Sequence, residues 1–292
     1  MKPASFTYHD PVSIDEVTDL LWHHENARLL AGGQSLMPMM NFRLVTPDHL
    51  IDLNRVHGLD GIQSAGNALR FGAMTRQREI ELSAQVKQLC PVMQEALRHV
   101  GHCQTRNRGT IGGSLCHLDP SAELVNITAL HDGTLHAESR RGARRLGFTE
   151  FATGYMSNAL EPDELLVAVT LTPWLPHHGY AFVEVARRLG DYAIVCVSAQ
   201  VELDDRGVIS RAALALSGLE TTPVRATLAE RAVLGQEPSH AVFRAAAAEA
   251  GKLDAMSDAS ITAGYRQHLA RILTYRALER AVKRCNERMK GD

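Results

Sequence analysis

The sequence lacks paired cysteines: its five, Cys90, Cys103, Cys116, Cys196 and Cys285, are odd in number and none stands in a C-x-x-C pair. Zinc ribbons, thioredoxin-like dithiols and cysteine-held iron–sulfur clusters therefore have no ligand set here. Isolated thiols of this kind are expected to be free, in a reducing compartment. Long apolar runs are missing too; none nears the roughly 18 uninterrupted residues of a membrane-spanning helix. Met1-Lys2-Pro3-Ala4-Ser5-Phe6 leads into no apolar stretch of signal-peptide length, so the expected location is cytoplasmic. Nor is there an excess of one charge: 31 Lys and Arg against 33 Asp and Glu leave a net charge of −2. That gives no electrostatic case for a nucleic-acid partner or a polybasic membrane contact.

Several catalytic signatures are also absent. No G-x-G-x-x-G marks a Rossmann dinucleotide site, and no G-x-x-x-x-G-K-[ST] marks a P-loop. His23-His24-Glu25 does not make H-E-x-x-H, His177-His178 has no companion nearby, and the 14 histidines show no metal-ligand spacing, so no metal is expected. Two glycine-serine segments miss the second glycine of a nucleophile elbow, and no catalytic residue is assigned.

What is present is a chain of 292 residues, 45% apolar and 22% charged. This suits about two domains with a core large enough to need no staples. Ser13-Ile14-Asp15-Glu16 reads as a capping box opening a helix to about His24. Arg28–Ala31 and His49–Leu53 read as strands of a small β-α-β unit. Leu82, Val86, Leu89, Met93 and Leu97 predict one helix over 80–100, ended by Gly101, and the polar stretch Gln104–Gly113 predicts a loop. Leu166–Leu171 reads as a strand closed by Pro173, and residues 193–203 with 208–216 as a hairpin turning at Asp204-Asp205-Arg206-Gly207. Helices are predicted near 224–234 and 240–250 and from Ser260 to about Met289. The class is α+β, with a boundary expected near residue 176.

Two segments resemble each other: Gly32-Gly33-Gln34-Ser35-Leu36 and Gly112-Gly113-Ser114-Leu115. Paired glycines let backbone N–H groups approach an anion, and a following hydroxyl adds a donor. Each alone also reads as a turn; together they suggest a divided pyrophosphate cradle. Asp119 and Glu123, shortly after the second, suit either ribose hydroxyls or a helix start.

Ala31-Gly32-Gly33-Gln34-Ser35-Leu36-Met37-Pro38-Met39-Met40 with Arg43-Leu44 resembles the first FAD-binding loop of the molybdenum hydroxylase flavoprotein subunits. That family includes the medium subunit of carbon monoxide dehydrogenase and the flavin domain of xanthine dehydrogenase. Arg106–Ser114, continuing to Asp119-Pro120-Ser121-Ala122-Glu123, is similar to their second loop. Arg187-Arg188-Leu189-Gly190-Asp191-Tyr192-Ala193, Thr222–Ala226 and Tyr265–Ala270 match in the same order, so the resemblance covers nearly the whole chain.

The resemblance implies an FAD-binding fold of the vanillyl-alcohol-oxidase (PCMH) type over 1–176, in two subdomains of about 1–55 and 56–176. A C-terminal domain of sheet and helices would fill 177–292. It implies that the backbone of Ala31, Gly32, Gly33, Gln34, Ser35 and Leu36 and that of Thr110, Ile111, Gly112, Gly113 and Ser114 hold the FAD diphosphate. Glu123 and Asp119 would contact the cofactor, the backbone of Leu166 and Val167 would meet the isoalloxazine edge, and Tyr192 would stack or gate. Tyr192 equally reads as an aromatic packed in the core. Gln34 stands where many relatives have His, and Glu184 lies in a segment where some have Lys. No cysteine loop for an extra cluster is present.

By the same resemblance, a separate molybdopterin-binding large subunit hydroxylates the substrate, and a small subunit carries electrons through two [2Fe–2S] clusters to FAD here. FAD then passes them to an external acceptor. Two other readings stay open: a self-sufficient FAD-dependent oxidoreductase, and an FAD-binding scaffold without its own catalysis.

Overall fold

Ser13 stops an extended segment and starts a helix: its Oγ accepts from Glu16 N–H at 3.2 Å, and the Glu16 carboxylate accepts from Val12 N–H at 2.8 Å. That helix, α1 (Ile14–His23), lies between β1 (Thr7–His9) and β2 (Ala27–Leu30); α2 (Leu36–Asn41) and β3 (His49–Asp52) follow. The three strands form a parallel sheet in the order β1-β3-β2. The expected β-α-β unit is β2-α2-β3, with the methionine-rich segment as its helix. Val17 and Leu21 of α1 pack on Ile51 and Leu53, and the cluster continues into Met74, Leu165 and Val167 of the next subdomain. The structure, a computed structural model, describes residues 1–290.

The second subdomain holds β4 (Ile62–Ala65), β5 (Ala68–Gly72), α3 (Gln77–Leu82), α4 (Ala84–Leu89), α5 (Pro91–Leu97), α6 (Cys103–Arg108), α7 (Ile111–His117) and α8 (Glu123–Leu130). It is completed by β6 (Thr134–Ser139), β7 (Gly142–Gly147), α9 (Phe148–Phe151), β8 (Ala152–Gly154), β9 (Ser157–Asn158) and β10 (Leu165–Leu171). An antiparallel sheet runs β4-β5-β10-β6-β7. Two expectations are corrected here. The single helix over 80–100 is three: Ser83 caps α4 by accepting from Val86 N–H, and Pro91 sits at the start of α5, where its missing N–H costs nothing. The loop over 104–113 is mostly helix, because Arg106 anchors α6 to Glu81 on α3 at 2.9 Å and to the carbonyls of Val100 and Gly101.

The C-terminal sheet, β11 (Gly179–Val185), β12 (Val195–Leu203), β13 (Ile209–Ser217) and β14 (Val224–Arg225), is antiparallel in that order. Helices α10 (Thr227–Val233), α11 (His240–Ala250) and α12 (Ala263–Lys290) cover one face. Helices α5 and α8 cover the other, so Phe182, Cys196, Ala213 and Ala215 belong to the core of the second subdomain. Burial on both faces explains why Cys196, Ser198 and Gln200 of β12 are buried although they alternate with the apolar Val195, Val197, Ala199 and Val201. The expected hairpin forms, with Asp204 Oδ1 accepting from the N–H groups of Arg206 and Val208.

Candidate cofactor-binding site

A cavity of about 730 Å³ opens between the two N-terminal subdomains, within the roughly 300–1,000 Å³ range of cofactor sites. One wall is the turn from β2 into α2. Gly33 sits there at φ +73°, a left-handed backbone that glycine alone adopts freely. A Cβ on Gly32 would stand 2.3 Å from the Arg108 carbonyl oxygen, so glycine lets this turn pack directly on the end of α6. The opposite wall is the start of α7, capped by Thr110. A Cβ on Gly112 would lie 2.6 Å from that of Ala73, and one on Gly113 would lie 2.8 Å from Thr110 Oγ1 and 3.5 Å from Ala31 Cβ. The glycines of the two loops thus serve first to bring the loops against each other and against β5.

The two loops differ in what they leave for a ligand. At the second, Ile111 N–H donates to Thr75 O, Gly112 N–H to Ala73 O, Gly113 N–H to Thr110 Oγ1 and Ser114 N–H to Thr110 O, all within 3.1 Å. At the first, the N–H groups of Gly32, Gly33, Gln34, Ser35 and Leu36 have no partner among the described residues. Arg28 is the one arginine in the wall among the described residues, and no lysine lines it. An anion here would rest mainly on unpaired amides in a turn, with Arg28 the single arginine in the wall among the described residues. Gln77 Oε1, buried in the same wall beside Gly109, also lacks a partner.

Ala31, Gly32, Gly33, Gln34, Ser35, Leu36, Thr110, Gly112, Gly113, Ser114, Glu123, Leu166 and Tyr192 all line the cavity. Three expected residues do not. Ile111 is fully buried in the core beneath it. Val167 is the bulged residue of β10; its side chain joins the core under α1 and its carbonyl accepts from Ala73 N–H at 2.9 Å. Asp119 accepts from Ser121 N–H at 2.9 Å behind the wall, where burial raises its carboxyl above the ordinary range.

Glu123, first residue of α8, is 3% exposed. Burial pushes its carboxyl up to about 8, and the nearby Glu184 and Asp119 carboxylates add to the effect. Tyr192 lies on the loop joining β11 to β12 and is 52% exposed, which excludes the core-packed alternative. Desolvation of its hydroxyl in the wall, with Asp119 close by, pushes the phenol up to about 12, and Ser35 is its hydrogen-bond partner. This loop is the C-terminal domain's share of the site: Gly190, at φ +88°, lies against Gly101, where a Cβ would be 3.1 Å from the backbone.

Sequence reasoning missed Arg28, Gln77, His117 and Asn158 in the wall. Each stands singly on a different element, with no spacing to reveal it. Leu165, beside Leu166, was within reach of the strand pattern.

Residues 4–174 match the family described as FAD binding domain in molybdopterin dehydrogenase, and residues 180–281 match the CO dehydrogenase flavoprotein C-terminal domain. The chain is a flavoprotein subunit of the molybdenum hydroxylase family. It is 38% identical, over 97% of each chain, to the 6-hydroxypseudooxynicotine dehydrogenase complex subunit alpha of Paenarthrobacter nicotinovorans. It is 35% identical, over 97% of each chain, to the caffeine dehydrogenase subunit beta of Pseudomonas sp. strain CBB1. A solved carbon monoxide dehydrogenase from Hydrogenophaga pseudoflava superposes with a TM-score of 0.94 at 33% identity, covering 98% of this chain and 100% of that one. This flavoprotein subunit therefore binds FAD and belongs to an oxidoreductase. Its fold is the expected α+β pair of FAD-binding and C-terminal flavoprotein domains, and among the described residues no helix is long and apolar enough to cross a membrane. The cavity fits the cofactor: a turn of unpaired amides suits a diphosphate, and the orphaned Gln77 Oε1 needs a donor that the protein does not supply.

Proposed function

We propose that this flavoprotein subunit carries electrons within a molybdenum hydroxylase complex, between the [2Fe–2S] clusters of a small subunit and an external acceptor. A molybdopterin-binding large subunit would oxidise the substrate. The observation that carries the site assignment is the run of unpaired amides at Gly32–Leu36, in a cavity wall without lysine. Those amides would hold the FAD diphosphate, with the hydroxyls of Ser35 and Ser114 beside them.

Bound FAD would supply the redox chemistry, taking up and giving out electrons. The protein's own residues would bind, orient and exclude water. Leu165 and Leu166 present an apolar edge, and Tyr192 covers the opening from the C-terminal domain. Glu123, protonated below about pH 8, can donate a hydrogen bond to an acceptor on the cofactor without setting a negative charge against its diphosphate. Of the second loop, Thr110, Gly112, Gly113 and Ser114 would contact the cofactor through surface more than through N–H groups, which are already engaged. Asp119, Ile111 and Val167 would support the wall from behind. The domain division is 1–176 and 177–292, and the complex is cytoplasmic.

The test is redox titration of the purified chain with and without its partner subunits. Rapid flavin reduction should require both partners and the substrate of the large subunit, and external dyes should then reoxidise it. Bleaching by a small organic substrate in the isolated chain would replace this reading with that of a self-sufficient oxidoreductase. Flavin that binds but is never reduced in the assembled complex would leave only a scaffold.

A further inference from the structure

Outside the cavity, the fold gathers three histidines that are far apart in sequence. Strands β1 and β3 run parallel, with Thr7 opposite His49 and His9 opposite Ile51. Alternation of side chains puts His9 and His49 on one face, the face on which Ile51 is buried under α1. Helix α1 ends over that face, and His24 follows as its C-cap in extended conformation. His9 Nε2 and His49 Nδ1 come within 3.0 Å, and the His24 and His49 rings stack at 4.0 Å between centroids. One ring nitrogen of each of the three residues lies within 4.8 Å of the other two. All three side chains are partly exposed, so an ion has access from solvent.

We propose that His9, His24 and His49 form a site for a divalent transition metal of the zinc class, which ties the end of β1, the start of β3 and the α1–β2 turn together. Two ligands of tetrahedral zinc, each about 2.1 Å from the metal, are about 3.4 Å apart. The His9–His49 pair is already near that distance, and the widest pair must close by at most about 1.4 Å, which ring rotation supplies. Three imidazoles without a carboxylate select zinc, nickel or copper over magnesium and calcium, which want oxygen ligands. The fourth position is left to water. None of the three histidines lines the cofactor cavity, although its wall reaches Arg28 and Leu29 of the neighbouring strand β2, opposite Leu50 and Ile51.

The experiment uses the full chain without an affinity tag, stripped with a chelator and titrated first with Co²⁺ and then with Zn²⁺. One Co²⁺ per chain is expected, with the visible bands of a four-coordinate ion displaced by Zn²⁺, and a higher Tm in Zn²⁺. His49→Gln and the double variant H9Q/H24Q should each weaken Zn²⁺ binding by at least about tenfold, as losing even an outer partner of a ligand does. The FAD content should not change. No binding by the wild-type chain, or unchanged binding by H9Q/H24Q/H49Q, overturns the site and leaves a hydrogen-bonded, stacked histidine cluster. Should the variants not fold, X-ray absorption of the Zn²⁺-loaded wild-type chain decides: three imidazole nitrogens support the site, and sulfur or fewer imidazoles overturn it.

Discussion

Gly32 and Gly33 look alike in sequence but are glycine for different reasons. Gly33 needs a left-handed backbone, at a cost of about 1–2 kcal/mol for any residue with a Cβ. Gly32 has ordinary angles and is constrained by the Arg108 carbonyl 2.3 Å from where its Cβ would be. Gly32→Ala must therefore part the two loops that frame the cavity. We expect it to lower FAD affinity at least about tenfold, an effect of at least about 1.4 kcal/mol, read as the flavin-to-protein absorbance ratio after gel filtration. Gly207→Ala is the control: its φ of +80° carries the backbone penalty of Gly33 without the clash of Gly32, since nothing lies within 4 Å of its Cβ position. It should lower Tm while leaving FAD content unchanged. Glu123 gives a pH signature. Its carboxyl ionises near 4.5 when free and near 8 in the folded chain, because burial opposes the charge. A group harder to ionise in the folded state costs nothing below the lower value and destabilises progressively as pH rises to the upper one. Glu123→Gln in the FAD-free protein should match the wild type near pH 4. Above pH 8 it should be the more stable by about 5 kcal/mol, the equivalent of the difference between the two pKa values. Urea denaturation of both proteins across that range measures the difference, and parallel pH profiles would refute the assignment.

Among the elements, α12 makes a very close approach to the strand beneath it. A Cβ on Gly179, the first residue of β11, would stand 1.8 Å from the Ala281 carbonyl oxygen. The helix can lie on that strand only because the position is glycine. Gly179→Ala should cost about 1–3 kcal/mol by forcing the helix away, visible as a lower Tm and faster hydrogen exchange in α12 with little change at β4–β5. Elements of this kind also mark the limit of what the sequence disclosed. The long hairpin β12–β13 and helices α10 to α12 were legible because their apolar patterns are long. The glycine-serine loops were legible because their residue types are rare in combination. Helices α3 to α5 read as one in the sequence, since apolar spacing carries straight across Ser83 and Pro91 while caps and proline decide the breaks. Helix α6 was invisible because it rests on Arg106 reaching Glu81, 25 residues away. The three histidines leave no signal in the sequence for the same reason: strand register and a helix end bring them together, and linear spacing carries no trace of either. In the site, motif residues were found and single wall residues such as Gln77 and Asn158 were not. The exclusion of Val167 from the wall follows from a bulge at that residue.

For the whole molecule, the sequence suggests a division near residue 176, yet the packing does not stop there. Phe182, Cys196 and Ala213 of the C-terminal sheet lie in one core cluster with Val92 and Met93 of α5 and Leu124 and Ile127 of α8. Polar groups follow the same course. Asn126 of α8, fully buried, donates to Ala215 O at 3.1 Å and to Ser217 Oγ at 2.9 Å and accepts from Ser198 Oγ. Glu95 of α5 takes both Arg284 nitrogens, at 2.6 and 3.1 Å, from α12. A buried polar network is costly when half satisfied, so Asn126→Ala should destabilise by about 2–4 kcal/mol, since it removes the donor to Ser217 Oγ and leaves Ser198 Oγ and Ala215 O only their long 3.4 Å bond to each other. A chain cut after Pro176 loses more: α5 and α8 would expose their apolar faces, and the cavity would lose Gly190, Asp191 and Tyr192. We expect that fragment to bind a hydrophobic dye, to aggregate on gel filtration and to retain no FAD, although it contains both glycine loops. A monomeric 1–176 fragment that held FAD would mean that the C-terminal domain only covers the site. Loss of FAD from the fragment would mean that the two domains, though separate in sequence, fold as one unit around the cofactor.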